Sequence, residues 1–397
     1  MSLSGNKPQK DNNASKGKTS FKGIVYILVL IMVLGLIVLY SASSIVIFKS
    51  PDVETDYYFK KQLLNISIGL IIMFILAMIP FKTHVKYAPL YLIGNIFLLL
   101  AVFMYESNVG SARWIVLGPL NLQPSEFAKI TVIVFISSYY YKHVNNKDNL
   151  YAKENESRFN YFIDRFLIPF GWIMLVSALI AMEPDLSSTL IIFTLGLLLM
   201  FIAGMKYSYL FLTIFIIVLG VVVVFQFDIL KEYQMERIMS YLGLVTEGEA
   251  QGQVDIGLRA ISSGGFFGEG LGMGNFKYLV PIQFTDFIFA ILGEELGFIG
   301  MALLLTLYYL LCKTLVDAAV NGLENRAARL VVVGYAFLIM LQVVVNVGVV
   351  TGLLPPTGVT LPFVSYGGSS VLAFLAGFGF VISALNSDES DETASSE

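Results

Sequence analysis

Long apolar runs separated by short polar stretches recur along most of the chain. Ten runs have about the length of roughly 20 residues that a helix needs to cross the hydrocarbon core of a bilayer. They lie at residues 24–48, 62–80, 87–105, 124–141, 166–182, 186–205, 208–228, 286–312, 329–352 and 369–386. The runs are continuous and do not alternate, which favours helices over the strands of a barrel. The pattern therefore predicts an all-α polytopic membrane protein with about ten transmembrane helices.

Composition supports lipid as the solvent of this chain. Of its 397 residues, 56% are hydrophobic and only 14% are charged, whereas soluble domains carry about 25% charged residues. Cys312 is the only cysteine, which excludes an internal disulfide. The two histidines argue against a histidine-rich metal site.

The distribution of Lys and Arg predicts the orientation. With ten spans both termini share a side, and that side carries 16 of the 25 basic residues, against 8 on the other side. Because the cytoplasmic loops carry the excess, both termini are predicted to be cytoplasmic. Residues 1–22 are predicted to be a disordered N-terminus, 23–387 a membrane domain, and 388–397 an acidic cytoplasmic tail. The large loop between helices 7 and 8, about 229–285, is then extracellular.

Three acids on the eighth span are candidates for chemistry. A carboxylate within an apolar span is costly, which makes it a functional hypothesis by default. Asp286 lies at the predicted helix start, where it or Thr285 is alternatively a simple N-cap. Glu294 and Glu295 lie about two turns deeper and cannot both face lipid. One of them must meet Lys129, a polar side chain or water.

The segment from Arg113 to Lys129 carries a second set of charges. Pro124 predicts a helix start, and Glu126 in the first turn suits the helix dipole. Lys129, one turn further, either pairs with an acid, binds an anionic ligand or snorkels. Arg113 precedes Trp114, a pair that is typical of an interfacial anchor.

Three further segments on the predicted extracellular side have an unusual composition. Glu183 and Asp185 flank a proline in a turn that is either solvated or a contact for a metal or a cationic head group. The glycine-rich segment 264–274 allows close backbone approach, but it matches no phosphate-binding fingerprint. Residues 346–370, rich in Pro, Gly and Ser, resemble a re-entrant passage that packs against the site.

Six motifs in this order resemble the SEDS family of polytopic glycosyltransferases, which includes FtsW, RodA and SpoVE, and are closest to its FtsW-type members. They are LYSASS (39–44), ARWIVLGPLNLQPSEFAK (112–129), EPDLSSTL (183–190), GGFFGEGLG (264–272), TDFIFAILGEELGFIG (285–300) and NVGVVTGLLPPTGVTLPFVSYGGSS (346–370). Several positions depart from the family pattern. Ile282 and Phe284 replace a Glu and a His, Gly252 and Gln253 replace a tyrosine-glutamine pair, Phe276 replaces a Gln, and Ser187 replaces a Gly. The departures leave Asp286 in place.

The resemblance implies polymerisation of lipid II into peptidoglycan at the outer face of the bacterial cytoplasmic membrane, with undecaprenyl pyrophosphate as the leaving group. It makes Asp286 the catalytic residue, as general base. The residues assigned to substrate or pyrophosphate are Arg113, Lys129, Arg237, Lys277, Ser365 and Ser369. The supporting acids are Glu126, Glu183, Asp185, Glu294 and Glu295.

The resemblance also implies partners: a class B penicillin-binding protein with transpeptidase activity, divisome or elongasome proteins, and membrane lipid, but no nucleic acid. Whether the enzyme binds a metal is left open, and the candidate is a divalent cation, Mg²⁺ or Mn²⁺. Two other functions remain as alternatives, a lipid II flippase and a non-catalytic scaffold that recruits a transpeptidase. The sequence does not decide between division, elongation and sporulation.

Overall fold

The computed structural model describes residues 9–43, 56–104, 113–117, 120–143, 158–183, 185–209, 211–215, 235, 239, 249–275, 278–279 and 285–387. Within this part of the chain, seven helices are long and apolar enough to cross a membrane. They span Phe21–Ser43, Tyr57–Met78, Phe81–Met104, Phe159–Met182, Ile288–Gly322, Arg326–Val350 and Gly368–Leu385. The predicted all-α polytopic membrane fold is confirmed.

The elements follow the chain in a regular order. They are α1 (Gln9–Ser43), α2 (Tyr57–Met78), α3 (Phe81–Met104), β1 (Ile115–Leu117), β2 (Leu120–Leu122), α4 (Pro124–His143), α5 (Arg158–Phe162), a π-helical turn (Ile163–Leu167), α6 (Ile168–Met182), α7 (Leu186–Ile202), α8 (Glu249–Gly264), α9 (Ile288–Gly322), α10 (Arg326–Val350) and α11 (Gly368–Leu385). The strands β1 and β2 form one antiparallel pair with Ile115 opposite Leu122. Within the described residues, nine of the ten predicted spans correspond to these helices, counting α4 and α7.

Helix α4 lies at the centre of the bundle, where α3, α7, α10 and α11 pack against it. Of its 20 residues 15 are buried. Because protein and not lipid surrounds it, α4 tolerates polar side chains that a lipid-facing helix would exclude. This explains how a span with Glu126 and Lys129 keeps its place in an apolar fold.

The passage between α10 and α11 enters the bundle, as predicted. Leu361, Phe363 and Val364 are buried. The Tyr308 hydroxyl donates to the carbonyl of Pro362, and Gln62 Nε2 donates to the carbonyl of Ser365 at 3.1 Å. Irregular backbone at membrane depth needs such protein partners for its polar groups.

The structure differs from the predictions at several elements. Helix α1 begins at Gln9 and so includes part of the segment predicted to be disordered. Helix α8 was not predicted, and it lies within the loop assigned to 229–285. Of the predicted span 208–228, residues 208–209 and 211–215 are described and helical. The rest of that span, residues 1–8 and the acidic tail lie outside the described residues.

Candidate active site

Asp286 lies at one end of the bundle, directly before α9. The helix begins at Ile288 with Phe287 at its N-cap, so the alternative that Thr285 or Asp286 caps the helix is wrong. Asn346 Nδ2 donates to the Asp286 carbonyl at 2.8 Å and to the Val359 carbonyl at 2.7 Å. One buried amide therefore connects the start of α9 to the passage that precedes α11.

Two segments approach Asp286 and its neighbour Phe287. The carboxylate oxygen Oδ2 would lie 3.6 Å from a Cβ at Gly358, so the passage approaches it closely. On the α8 side, Gly257 packs against the ring of Phe287, where a Cβ would come within 3.1 Å of a ring carbon. Asp286 itself is half-buried.

A hydrogen-bonded network continues from this point across the end of the bundle. Thr360 Oγ1 and Ser370 Oγ lie 2.8 Å apart. Ser369 Oγ accepts from the backbone N–H of Gln123 at 2.8 Å and donates to the carbonyl of Asn121. The network thus connects the re-entrant passage to β2 and the start of α4. Ser369, assigned to the substrate from the resemblance, here joins two structural elements.

The network ends at Asp185, which caps α7. Its Oδ1 accepts from the N–H of Ser188 at 3.2 Å. Its Oδ2 accepts from Ser125 Oγ at 3.3 Å and from Gln123 Nε2 at 3.2 Å. Asp185 is only 7% exposed. The interpretation of this turn as solvated is therefore wrong.

Glu183 is fully buried beside this network. Neither of its carboxyl oxygens has a hydrogen-bond partner within the described residues. Arg113 Nε donates to the backbone carbonyl of Glu183 at 3.0 Å. Burial and the neighbouring charge of Asp185 raise the pKa of Glu183 to about 8, and Arg113 opposes this shift. A carboxyl group with that pKa is mostly protonated at neutral pH.

Lys129 and Glu126 form an ion pair inside the bundle. Lys129 Nζ lies 2.7 Å from Glu126 Oε1, and both residues are buried. Of the three alternatives for Lys129, pairing with an acid is confirmed. The partner is one turn earlier on the same helix and is neither Glu294 nor Glu295. The position of Lys129 in this pair does not test its predicted role with pyrophosphate.

Helix α9 is broken where it carries Glu294 and Glu295. Gly297 has φ 63° and ψ −162°, which lies outside the helical region. The glycine-rich segment crosses this break and satisfies its backbone groups. Phe298 N donates to the Gly265 carbonyl at 2.9 Å, and Gly270 N donates to the Glu295 carbonyl at 3.0 Å. The close backbone approach predicted for this segment is confirmed, and its partner is a helix break.

Both glutamates at the break are fully buried. Ser41 Oγ on α1 donates to Glu295 Oε1 at 2.6 Å. Gly274 lies against the Glu294 carboxylate so closely that a Cβ would overlap it. The prediction that one acid meets a polar side chain is confirmed for Glu295, and the LYSASS motif supplies that side chain.

The remaining predicted residues divide into two groups. Ser365 is buried, and its Oγ accepts from the N–H of Leu361 at 2.8 Å, which closes a turn. Arg237, Lys277, Ile282 and Phe284 lie outside the described residues. No three His, Cys, Asp or Glu side chains of the described ranges come together as metal ligands.

Comparison with known proteins identifies the family. Residues 22–390 match the FtsW/RodA/SpoVE family of cell cycle proteins. The chain belongs to this family. Stage V sporulation protein E of Bacillus subtilis (strain 168) is 33% identical over 364 residues, which cover 90% of this chain and 95% of the relative. The probable peptidoglycan glycosyltransferase FtsW of Wigglesworthia glossinidia brevipalpis is 33% identical over 374 residues, covering 91% and 92%.

Two solved structures share the fold of this FtsW/RodA/SpoVE family member. A chain from a peptidoglycan synthase complex, described as coordinating polymerization and crosslinking, matches with a TM-score of 0.74 and 28% identity over 92% of this chain and 97% of that chain. The crystal structure of the Thermus thermophilus rod shape determining protein RodA matches with a TM-score of 0.64 and 26% identity, covering 92% and 96%.

Two features of this FtsW/RodA/SpoVE site were missed at the level of sequence. The first is α8, although its apolar residues Val254, Leu258 and Ile261 have helical spacing and could have predicted it. The second is the break at Gly297, because a glycine within an apolar run gives no sign of the segment that packs on it.

Proposed function

We propose that this chain is a peptidoglycan glycosyltransferase that polymerises lipid II, with Asp286 as the general base. One observation carries the assignment of the base. Glu126, Glu183, Asp185, Glu294 and Glu295 are all buried, whereas Asp286 is the partly exposed member of the six candidate acids. A group that accepts a proton from a bound sugar must be reachable by that sugar.

The chemistry needs one proton acceptor and one stabilised leaving group. Asp286 accepts the proton of the 4-hydroxyl of the acceptor sugar while that oxygen bonds to the anomeric carbon of the donor. The bond from this carbon to the pyrophosphate oxygen breaks, and its electron pair leaves with undecaprenyl pyrophosphate. Cationic side chains stabilise the charge that develops there. Arg113 is a described candidate on the same end of the bundle, and Lys129 is the lysine that the resemblance assigns. Arg237 and Lys277 are candidates because they carry positive charge on the predicted outer face.

Asn346 acts as a positioning residue for Asp286. Its amide donates to the Asp286 carbonyl and to the Val359 carbonyl, and its side chain is 1% exposed. The two bonds fix the backbone from which the carboxylate projects. Fixed geometry of the base is what makes proton transfer efficient, since small displacements of reacting groups are costly.

An apolar groove between α7 and α10 suits the polyprenyl tail. It has a volume of about 190 Å³ and is lined by Thr194, Leu195, Leu198, Phe337, Met340, Leu341 and Val344. Val344 is 54% exposed, so the groove opens toward lipid. Asn346 lies two residues further along α10, at the candidate site. We infer that the polyprenyl tail occupies this groove when its pyrophosphate lies at the candidate site.

The orientation and the partners belong to the same proposal. The excess of Lys and Arg on the terminal side supports cytoplasmic termini and an active site on the outer face of the cytoplasmic membrane. The solved peptidoglycan synthase complex, with its polymerization and crosslinking, supports a class B penicillin-binding protein as a partner. Divisome or elongasome proteins would follow from that partnership.

A liposome assay tests the class of function. The purified chain is reconstituted with fluorescent lipid II, with and without a partner transpeptidase, and both polymer formation and leaflet exchange are measured. We expect glycan polymer. Leaflet exchange without polymer would replace the proposal with a flippase. Absence of both, with restored growth of a depleted strain, would replace it with a scaffold.

A further inference from the structure

Two cationic side chains share one aromatic ring at the end of the bundle opposite the candidate active site. The guanidinium carbon of Arg165 lies 4.5 Å from the ring centre of Tyr161, and Lys206 Nζ lies 3.9 Å from the same centre. Arg165 precedes α6 and Lys206 follows α7, whereas Glu183 and Asp185 lie at the other ends of these two helices. The ring and the network around Asp185 therefore lie toward opposite membrane surfaces.

The backbone at Arg165 has an unusual geometry that other side chains hold in place. Ile163–Leu167 form a π-helical turn, an element that is rare and frequent at functional sites. The hydroxyl of Tyr139 donates to the Asp164 carbonyl at 2.9 Å, and that of Tyr140 donates to the Arg165 carbonyl at 2.6 Å. These bonds from α4 fix the turn, and with it the direction from which Arg165 reaches the ring.

Two cations near one ring centre favour an anion beside them. Because both groups lie close to the ring centre, they are at most about 8.4 Å apart. Like charges within that distance repel, and a counter-ion offsets the repulsion. Lys206 is exposed and has no ion pair with any acid in the part of the chain that the structure describes. An anion that approaches from the membrane surface can reach it.

The surface beside the two cations is apolar. Leu167 is 48% exposed and Tyr207 is 70% exposed, each close in sequence to one of the cationic residues. A free anion would use only the charges of such a surface. A lipid uses both parts, because its head group meets the cations while its acyl chains cover the apolar side chains.

We propose that Arg165, Lys206 and Tyr161 bind the phosphate of an anionic phospholipid at this membrane surface. Basic pockets between membrane helices are suited to such head groups. The site is separate from the chemistry at Asp286, and the proposal does not depend on the glycosyltransferase assignment.

A lipid titration of the purified full chain in neutral detergent tests this site. Thermal unfolding is followed while phosphatidylglycerol, phosphatidylcholine or inorganic phosphate is added. We expect phosphatidylglycerol alone to raise the unfolding midpoint. The double variant Arg165→Gln/Lys206→Gln should bind it about twenty-five-fold more weakly, from roughly fivefold for each cation near a membrane surface.

Two further variants make the test specific. Lys206→Gln changes an exposed side chain that leaves the helix packing intact, and we expect a loss of roughly fivefold. Lys86→Gln is the matched control, because Lys86 also lies over a tyrosine ring, 5.4 Å from the centre of Tyr87, and no other cation of the described ranges lies over that ring. It should bind phosphatidylglycerol like the wild type.

Three results would overturn the proposal. The first is wild-type affinity in Lys206→Gln and the double variant. The second is an equal loss of affinity in the Lys86→Gln control. The third is an equal shift with inorganic phosphate, which would make the site an ion site and not a lipid site.

Discussion

The amide of Asn346 offers the sharpest test of how the fold supports the site. Asn346→Leu keeps the size and burial of the side chain but removes the donor to two carbonyls, those of Asp286 and Val359. A buried acceptor left without its partner costs about 1–3 kcal/mol, so the two together predict a loss of about 2–6 kcal/mol. The Asp286 backbone should also become less fixed, and we expect the rate of polymerisation to fall by roughly ten- to a hundredfold.

Gln342 provides a matched control on the same helix. It lies one turn from Asn346, it is fully buried, and neither its Nε2 nor its Oε1 has a partner within the described residues. Gln342→Leu therefore removes a buried amide that bonds to nothing described, and the variant should be as stable as the wild type or more stable.

The assay compares both variants in the same detergent. Thermal unfolding gives the stability, and lipid II polymerisation at several substrate concentrations separates kcat from KM. We expect Asn346→Leu to lower kcat more than it changes KM, because the residue positions the base and does not touch substrate. Equal effects of the two substitutions, or full activity of Asn346→Leu, would refute the reasoning.

Three further predictions concern the buried charges and the groove. Lys129→Met leaves the Glu126 carboxylate buried without its cation and should lower the free energy of unfolding by about 3–5 kcal/mol. In thermal unfolding, the double variant with Glu126→Gln should recover most of this stability. An equally unstable double variant would contradict the prediction. Because the folded pKa of Glu183 is raised to about 8 from 4.5, the unfolded state loses its proton first, so stability should fall as pH rises from about 4.5 to about 8. Glu183→Gln should flatten this dependence, and an unchanged pH profile would argue against the buried carboxyl. Leu198→Trp should obstruct the groove between α7 and α10 and lower the rate of polymerisation. Ile37→Trp, in the apolar groove of about 420 Å³ beside α1, should leave that rate unchanged. The reverse result would indicate that the lipid tail binds beside α1.

The spans were predictable because each is a local pattern. Apolar length alone determines that a segment crosses the bilayer, and even α4 was found from its run of 124–141 in spite of Glu126 and Lys129. The sequence indicated that Lys129 could pair with an acid, but it did not identify Glu126 as that acid. Spacing places them one turn apart on a helix, yet Glu294 and Glu295 were equally available until the packing of α1 brought Ser41 to Glu295.

The features that sequence did not predict depend on contacts between distant segments. Two acids beside a proline suggested a solvated turn at Glu183 and Asp185. This interpretation failed because Arg113, Gln123 and Ser125, which are distant in sequence, donate hydrogen bonds to that turn. The break at Gly297 depends on a segment about thirty residues earlier that supplies backbone partners. Patterns within one segment of sequence do not indicate which distant segment packs against it.

The central claim is that Asp286 is the base of the transfer, and substitution at this residue tests it most directly. Glycan polymer from lipid II is measured for wild type, Asp286→Asn and Asp255→Asn, the last an exposed acid on α8 that serves as a matched control. Loss of a general base predicts a decrease of about 10²–10⁴-fold in Asp286→Asn, with normal folding and with Asp255→Asn fully active. Wild-type polymerisation by a folded Asp286→Asn protein would contradict the account.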